Sequence, residues 1–90
     1  MGKIIQRASA GTLESSDVYV EVWPGGGAVK LDLESVVELQ FGDAIRRTVM
    51  NILEEMNVAD AELRIVDRGA LDCVLRARVE AAVRRGEAQG

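Results

Sequence analysis

Between Val18 and Glu34 apolar and polar residues alternate in two blocks. Val18, Val20 and Val22 are interleaved with Tyr19, Glu21 and Trp23, and Val29, Leu31 and Leu33 with Lys30, Asp32 and Glu34. A period of two puts successive side chains on opposite faces of an extended chain, so each block predicts a half-buried strand. Pro24 and the run Gly25 to Gly27 separate the blocks and read as the connection of an antiparallel hairpin. From Phe41 the period changes. Phe41, Ala44, Ile45, Thr48, Val49, Ile52, Leu53 and Met56 recur at steps of three and four, while Asp43, Arg46, Arg47, Glu54 and Glu55 fall elsewhere. This predicts a long amphipathic helix with one buried face, stopped at Asn57, which tolerates left-handed backbone. Ala61, Leu63 and Ile65 then alternate with Glu62 and Arg64 as a third strand, ended by the turn-like Asp67-Arg68-Gly69.

Residues 71–80 fit two periods. Cys73, Leu75, Ala77 and Val79 suit a strand, whereas Leu71, Val74, Leu75, Arg78, Val79, Ala82 and Val83 suit a helix. The expected arrangement is a fourth strand running into a short C-terminal helix. Laying the long helix across the sheet buries its stripe against the inward valines and leucines. The predicted fold class is therefore α+β, a two-layer sandwich of a small mainly antiparallel sheet, one long amphipathic helix and a short C-terminal helix. Ninety residues suit one domain spanning 1–90, in which folding buries about 60–65% of the unfolded surface. Residues 1–9 and 86–90 are expected to be flexible tails.

Composition narrows the function. Fifteen acidic and eleven basic residues leave a net charge of −4, which disfavours nucleic acid as a partner because phosphate binding needs clustered Lys and Arg. No run approaches the roughly 20 apolar residues of a membrane helix, and Met1 to Arg7 lacks the apolar stretch of a secretion signal. A cytoplasmic protein without a membrane partner is expected. The single Cys73 makes no internal disulfide, and with no histidine in the chain neither a zinc finger nor a Ser-His or Cys-His nucleophile pair can be built. No catalytic and no metal-binding residues are assigned. Cys73, among Leu71, Val74 and Leu75, reads as a buried small hydrophobe.

The segment Ala10-Gly11-Thr12-Leu13-Glu14-Ser15-Ser16-Asp17 gathers small and hydroxyl residues directly before a strongly patterned strand. On residue chemistry alone, Ser15 and Ser16 are turn residues bonding to the backbone. However, three blocks carry a resemblance: Gly11-Thr12-Leu13-Glu14-Ser15-Ser16-Asp17-Val18, then Phe41-Gly42-Asp43-Ala44-Ile45-Arg46, then Asp67-Arg68-Gly69-Ala70-Leu71-Asp72-Cys73 with Leu75-Arg76-Ala77-Arg78-Val79-Glu80. Together they resemble the acyl carrier subunit, or gamma chain, of citrate lyase, in the family's order and nearly its spacing. The resemblance implies that Ser15, not its neighbour Ser16, carries a phosphoribosyl-dephospho-CoA group through a phosphodiester bond, placed there by a prosthetic-group transferase. It further implies an alpha subunit that exchanges acetyl for citryl on the thiol arm. A beta subunit then cleaves the citryl thioester to oxaloacetate and regenerates the acetyl thioester, so that the complex converts citrate to acetate and oxaloacetate. The carrier itself is not an enzyme.

Four-helix acyl carriers use an Asp-Ser-Leu motif at a helix start, which this chain lacks. The carrier subunit of malonate decarboxylase resembles it more closely, and the Gly-Ala-Leu-Asp-Cys block favours citrate lyase. An unmodified α+β interaction module satisfies composition and periodicity equally well. The attachment serine must reach solvent, and Glu14 and Asp17 place negative charge beside an anionic arm, so no ion pairing is expected there. Arg76, Arg78, Arg84 and Arg85 form either a solvated face or, at Arg76 and Arg78, a docking surface for a partner. Asp67 and Asp72 read as turn-shaping residues. Tyr19 and Trp23 share the face opposite Val18, Val20 and Val22, either covering the sheet or forming a contact patch.

Overall fold

Both alternating blocks form strands in the computed structural model of the chain, which describes residues 3–36 and 38–88. In chain order the elements are β1 (Ala8–Gly11), β2 (Val18–Pro24), β3 (Val29–Ser35), α1 (Glu38–Glu55), β4 (Ala61–Asp67) and α2 (Asp72–Glu87). The four strands make one sheet in the order β1-β2-β4-β3. β4 runs antiparallel to β2, from Val18 opposite Asp67 to Pro24 opposite Ala61. It runs parallel to β3, from Val29 opposite Ala61 to Ser35 opposite Asp67. Parallel neighbours need a crossover, and α1 supplies it.

The hairpin expected between β2 and β3 is thus not formed, because β4 lies between them. Two strand spacings amount to about 10 Å, and the residues 25–28 that link the two strands can reach that far at about 3.3–3.6 Å each. The link passes hard against the start of β4. A Cβ on Gly25 would stand 2.2 Å from Asp60 Oδ1 and 2.6 Å from Ala61 N, so the first position has room only for glycine. Asp60 then ties the link down, its Oδ1 accepting from Gly27 N–H at 2.8 Å.

β1 was not foreseen. It pairs antiparallel with β2, Ala8 opposite Val22 through Gly11 opposite Tyr19. Its sequence Ala-Ser-Ala-Gly has none of the β-branched or aromatic residues that mark strands. At the other end of the chain, residues 72–87 form one continuous helix in place of a strand and a short helix. Leu75, Val79, Ala82, Val83 and Gly86 are its buried residues, and their spacing is helical. The strand period had grouped Cys73 and Ala77 with Leu75, but on a helix residues two apart point away from each other. Cys73 is accordingly exposed, which corrects its reading as a core residue. The tails are shorter than expected within the described residues. Ile4 is only 2% exposed, Ile5 N–H donates to the Gly86 carbonyl at 2.9 Å, and Ala8 and Ser9 belong to β1. Residues 1–2 and 89–90 of those tails lie outside the described part.

α2 packs against β1 and β2, and α1 against β3, so both helices cover one face of the sheet. Beneath them Val18, Val20, Val22 and Ile65 meet Val49, Ile52, Val79 and Val83, all fully buried. α1 ends as its sequence suggests. Asn57 takes φ 60, its N–H donates to the Glu54 carbonyl at 3.0 Å, and Val58 N–H donates to the Leu53 carbonyl at 2.8 Å, the paired bonds of a Schellman cap. The α1 stripe begins later than expected. Phe41 is 53% exposed, and Ala44 is exposed as well. The open face of the sheet bears Tyr19, Glu21, Trp23, Lys30, Asp32, Glu34, Glu62 and Arg64, with Arg64 paired to Asp32 at 2.9 Å and Arg7 paired to Glu21 beside the Trp23 ring. Among the described residues no helix is long and apolar enough to cross a membrane.

Two outcomes follow from this packing. Ile65, fully buried in the central strand, is expected to cost about 2–5 kcal/mol when replaced by alanine, read as a shift in the urea midpoint. Cys73 should react with a thiol reagent in the native protein about as fast as in the unfolded chain, followed by absorbance of the released chromophore.

Candidate functional site

Val18, Ser35 and Asp67 lie side by side at one end of the sheet, and both helices begin just beyond it. The segments that carry the three sequence blocks converge there. Residues 12–17 join β1 to β2 and form the loop that holds Ser15. Its start is set by Gly11, at φ 89, where a Cβ would stand 1.8 Å from the Val18 carbonyl oxygen. No L side chain fits that approach. Asp17 N–H donates to the Glu14 carbonyl at 3.2 Å, closing a four-residue turn. Its third residue, Ser16, has φ 65, a left-handed conformation that costs a non-glycine residue roughly 1–2 kcal/mol and is held only by what surrounds it.

What surrounds it is specific. Ser16 N–H donates to the Arg68 carbonyl at 2.8 Å and Arg68 N–H to the Asp17 carbonyl at 2.9 Å, which extends the β2–β4 ladder into the loop. The Asp17 side chain, 15% exposed, is the hub. Its Oδ2 accepts from Thr12 Oγ1 at 2.8 Å, and its Oδ1 accepts from Val18 N–H at 2.7 Å. Arg78 on α2 reaches both oxygens, Nε to Oδ1 at 3.1 Å and Nη2 to Oδ2 at 3.3 Å. α2 passes close enough to bring a guanidinium to Asp17 from 61 residues away. Ser15 itself is exposed at the turn. No hydrogen bond engages its hydroxyl among the described residues.

Neighbouring carboxylates are structural. Asp67, 4% exposed, accepts from Ser35 Oγ at 2.8 Å and from Ala70 N–H at 3.0 Å, which shapes the turn into α2 as its sequence context suggested. Arg76 is engaged within the chain, forming a forked pair with Glu55 of α1 at 3.0 and 3.4 Å. Two surface depressions, of about 380 Å³ beside Trp23 and Glu62 and of about 440 Å³ beside Val29 and Asn57, lie toward the far end of the strands from Ser15. Thr12, Asp17 and Arg78 as a set escaped sequence reading, since a hydroxyl, a carboxylate and a guanidinium on separate elements have no common spacing. The one available signal was Arg78 in an otherwise apolar-periodic stretch.

Comparison with known proteins fits this geometry into a family. The model described as malonate decarboxylase delta subunit (MdcD), of the acyl carrier type, matches residues 5–86. The citrate lyase acyl carrier protein of Vibrio cholerae serotype O1 (strain M66-2) is 56% identical over 84 residues, 92% of this chain and 86% of that protein. The chain belongs to the citrate lyase acyl carrier protein family. A second family member, from Serratia proteamaculans (strain 568), is 51% identical over 84 residues, covering 92% of this chain and 82% of that protein. The family fold extends to a chain of a Pseudomonas malonate decarboxylase hetero-tetramer crystallised with malonate, with a TM-score of 0.77 over 92% of this chain and 86% of that one. At 19% identity that likeness speaks for the fold alone.

Hydrogen bonds from the Thr12 hydroxyl first, then from Val18 N–H and Arg78, hold the Asp17 carboxyl down at about 2, against 3.8 for the unperturbed group. A folded value below the unfolded one means that the stabilisation from Asp17 is complete above the unfolded value and is lost as pH falls through the folded one. Carbon-detected NMR should find the Asp17 midpoint near 2. Thr12→Val and Arg78→Met should each raise it.

Proposed function

We propose that the chain is the acyl carrier subunit of a citrate lyase, with Ser15 as the attachment point of its prosthetic group. The match of Gly11-Thr12-Leu13-Glu14-Ser15 to the family motif carries the assignment of Ser15, and it is supported by the exposure of Ser15 on a turn whose polar anchors, Thr12 and Asp17, are committed to holding the loop in shape. A reachable primary alcohol is the group a phosphodiester link requires, so the residue present fits a phosphoribosyl-dephospho-CoA arm. When bound, that arm supplies a terminal thiol for acyl groups. This chain contributes the anchor and the frame beneath it and breaks no bond of the acyl substrate.

A tether of this kind converts encounters with partner active sites into intramolecular events, at effective concentrations of about millimolar for short flexible links. The proposed partners are an alpha subunit that transfers acyl groups, a beta subunit that cleaves the citryl group, and the transferase that attaches the arm, all in the cytoplasm. Leu13, Val36, Phe41 and Leu71 are exposed apolar side chains on the elements that gather around the Ser15 end. They are the proposed places for those partners to dock, with Arg76 as a charged contact at the side. A malonate decarboxylase carrier is the second reading, favoured by the description of the matching family model. The relatives at 56% identity weigh for citrate lyase.

Co-expression with the enzymes that make and attach the arm, followed by intact-mass and peptide mass spectrometry, tests the assignment. The wild-type chain and Ser16→Ala should carry the adduct on Ser15, and Ser15→Ala should carry none. An adduct on Ser15→Ala, or none on the wild type under those conditions, would overturn the reading. Reconstitution of the loaded carrier with citrate lyase and with malonate decarboxylase subunits separates the two carriers.

A further inference from the structure

The Ser15 loop is built more firmly than a carrier's attachment point needs if its only duty is exposure. Segments of small and polar residues on the surface are ordinarily the least ordered parts of a domain. Here residues 12–17 are held from three directions. On one side two backbone hydrogen bonds join Ser16 and Asp17 to Arg68. Within the loop, Thr12 and Val18 donate to the Asp17 carboxylate. On the third side Arg78 closes a forked pair with both oxygens of Asp17, and its stem covers Gly11, its Cδ lying 3.2 Å from the point where a Cβ would stand. Arg78 in turn rides on a helix anchored by Leu75 and Val79, 5% and 0% exposed.

We infer that Asp17 and Arg78 are positioning residues for the modification of Ser15, holding the backbone that carries its hydroxyl in one place for the enzyme that attaches the arm. This rests on Ser15 being the attachment residue. The modification joins Ser15 Oγ to phosphorus of a phosphoanhydride-activated form of the arm and breaks the phosphoanhydride bond. The polyphosphate portion leaves, and the hydroxyl proton passes to a base on the attaching enzyme. Such an in-line displacement depends on the direction of approach of the oxygen. A loop free to sample many conformations offers the reactive one only for a fraction of the time, and the apparent affinity of the attaching enzyme falls by that fraction. Arginine suits the task because its planar fork matches a carboxylate in a set orientation, whereas lysine offers a point charge. The pair therefore sets the geometry of Ser15 without touching the reacting atoms.

Unmodified full-length carrier, the attaching enzyme and its activated donor provide the test, with arm uptake followed by mass spectrometry and loop order by amide hydrogen exchange at Ser16 and Val18. Arg78→Met and Asp17→Asn should lower kcat/KM for the carrier at least tenfold and speed exchange at both amides, while Arg78→Lys recovers part of each. Leu53→Ala, a core change near the far end of α1, serves as a control for general destabilisation and should leave uptake at Ser15 near the wild-type rate. Wild-type uptake by Arg78→Met despite faster loop exchange would overturn the inference. So would an equal loss in Leu53→Ala. Uptake by Ser15→Ala would instead remove the attachment reading on which the inference rests, and the two failures are told apart by which variant shows them.

Discussion

The carboxylate of Asp17 is the point at which separate parts of the chain are made to agree. It accepts from the loop at Thr12, from the first residue of β2 at Val18 and from the middle of α2 at Arg78, while its own backbone carbonyl accepts from Arg68 beyond the end of β4. Each donor satisfies a lone pair of a mostly covered anion, and an anion so covered is costly unless it is fully bonded. The same oxygens therefore fix the loop, the end of the sheet and the register of the helix over it. Ser16 is left-handed in that setting, with its N–H bonded to the Arg68 carbonyl, a conformation that persists only where the surroundings hold it.

Beneath this hub the sheet explains why the site has its location. β4 occupies the centre, and its pairings with β2 and β3 are in register so that Val18, Ser35 and Asp67 finish together. The connections at this end are therefore neighbours in space although they come from distant parts of the chain. Asp67, buried and bonded by Ser35 and Ala70, turns the chain into α2 and so delivers Arg78 to Asp17. Ser15 and Ser16 are both exposed on the loop that this frame holds.

Arginine placement carries a related lesson about charge. Arg76 and Arg78 sit two apart on α2 and serve different elements, Arg76 pairing with Glu55 on α1 and Arg78 with Asp17 in the loop. Neighbours in sequence point to different faces of a helix, so a run of basic residues is not one surface. The run reads either as a solvated face or, at Arg76 and Arg78, as a docking surface; in three dimensions these two pair with different elements of the chain.

Local periodicity was sufficient for β2, β3, β4 and α1, because the choice between a period of two and a period of 3.6 is made by neighbouring residues deciding which face to bury. Left-handed Asn57 and the turn at Asp67 were legible for the same reason, being tied to single residue types. The family resemblance likewise marked Ser15 through contiguous motifs. Pairing was not legible: the insertion of β4 between β2 and β3, the recruitment of Ala8–Gly11 as an edge strand, and the helical state of residues 72–80 depend on which distant surfaces are available to cover each other. The sequence by itself determined the elements, the apolar faces and a hydroxyl beside a strand. Only the tertiary structure decided that Asp17 meets Arg78, since that bond requires the crossover through α1, the central place of β4 and the helical phase of α2 to be right together.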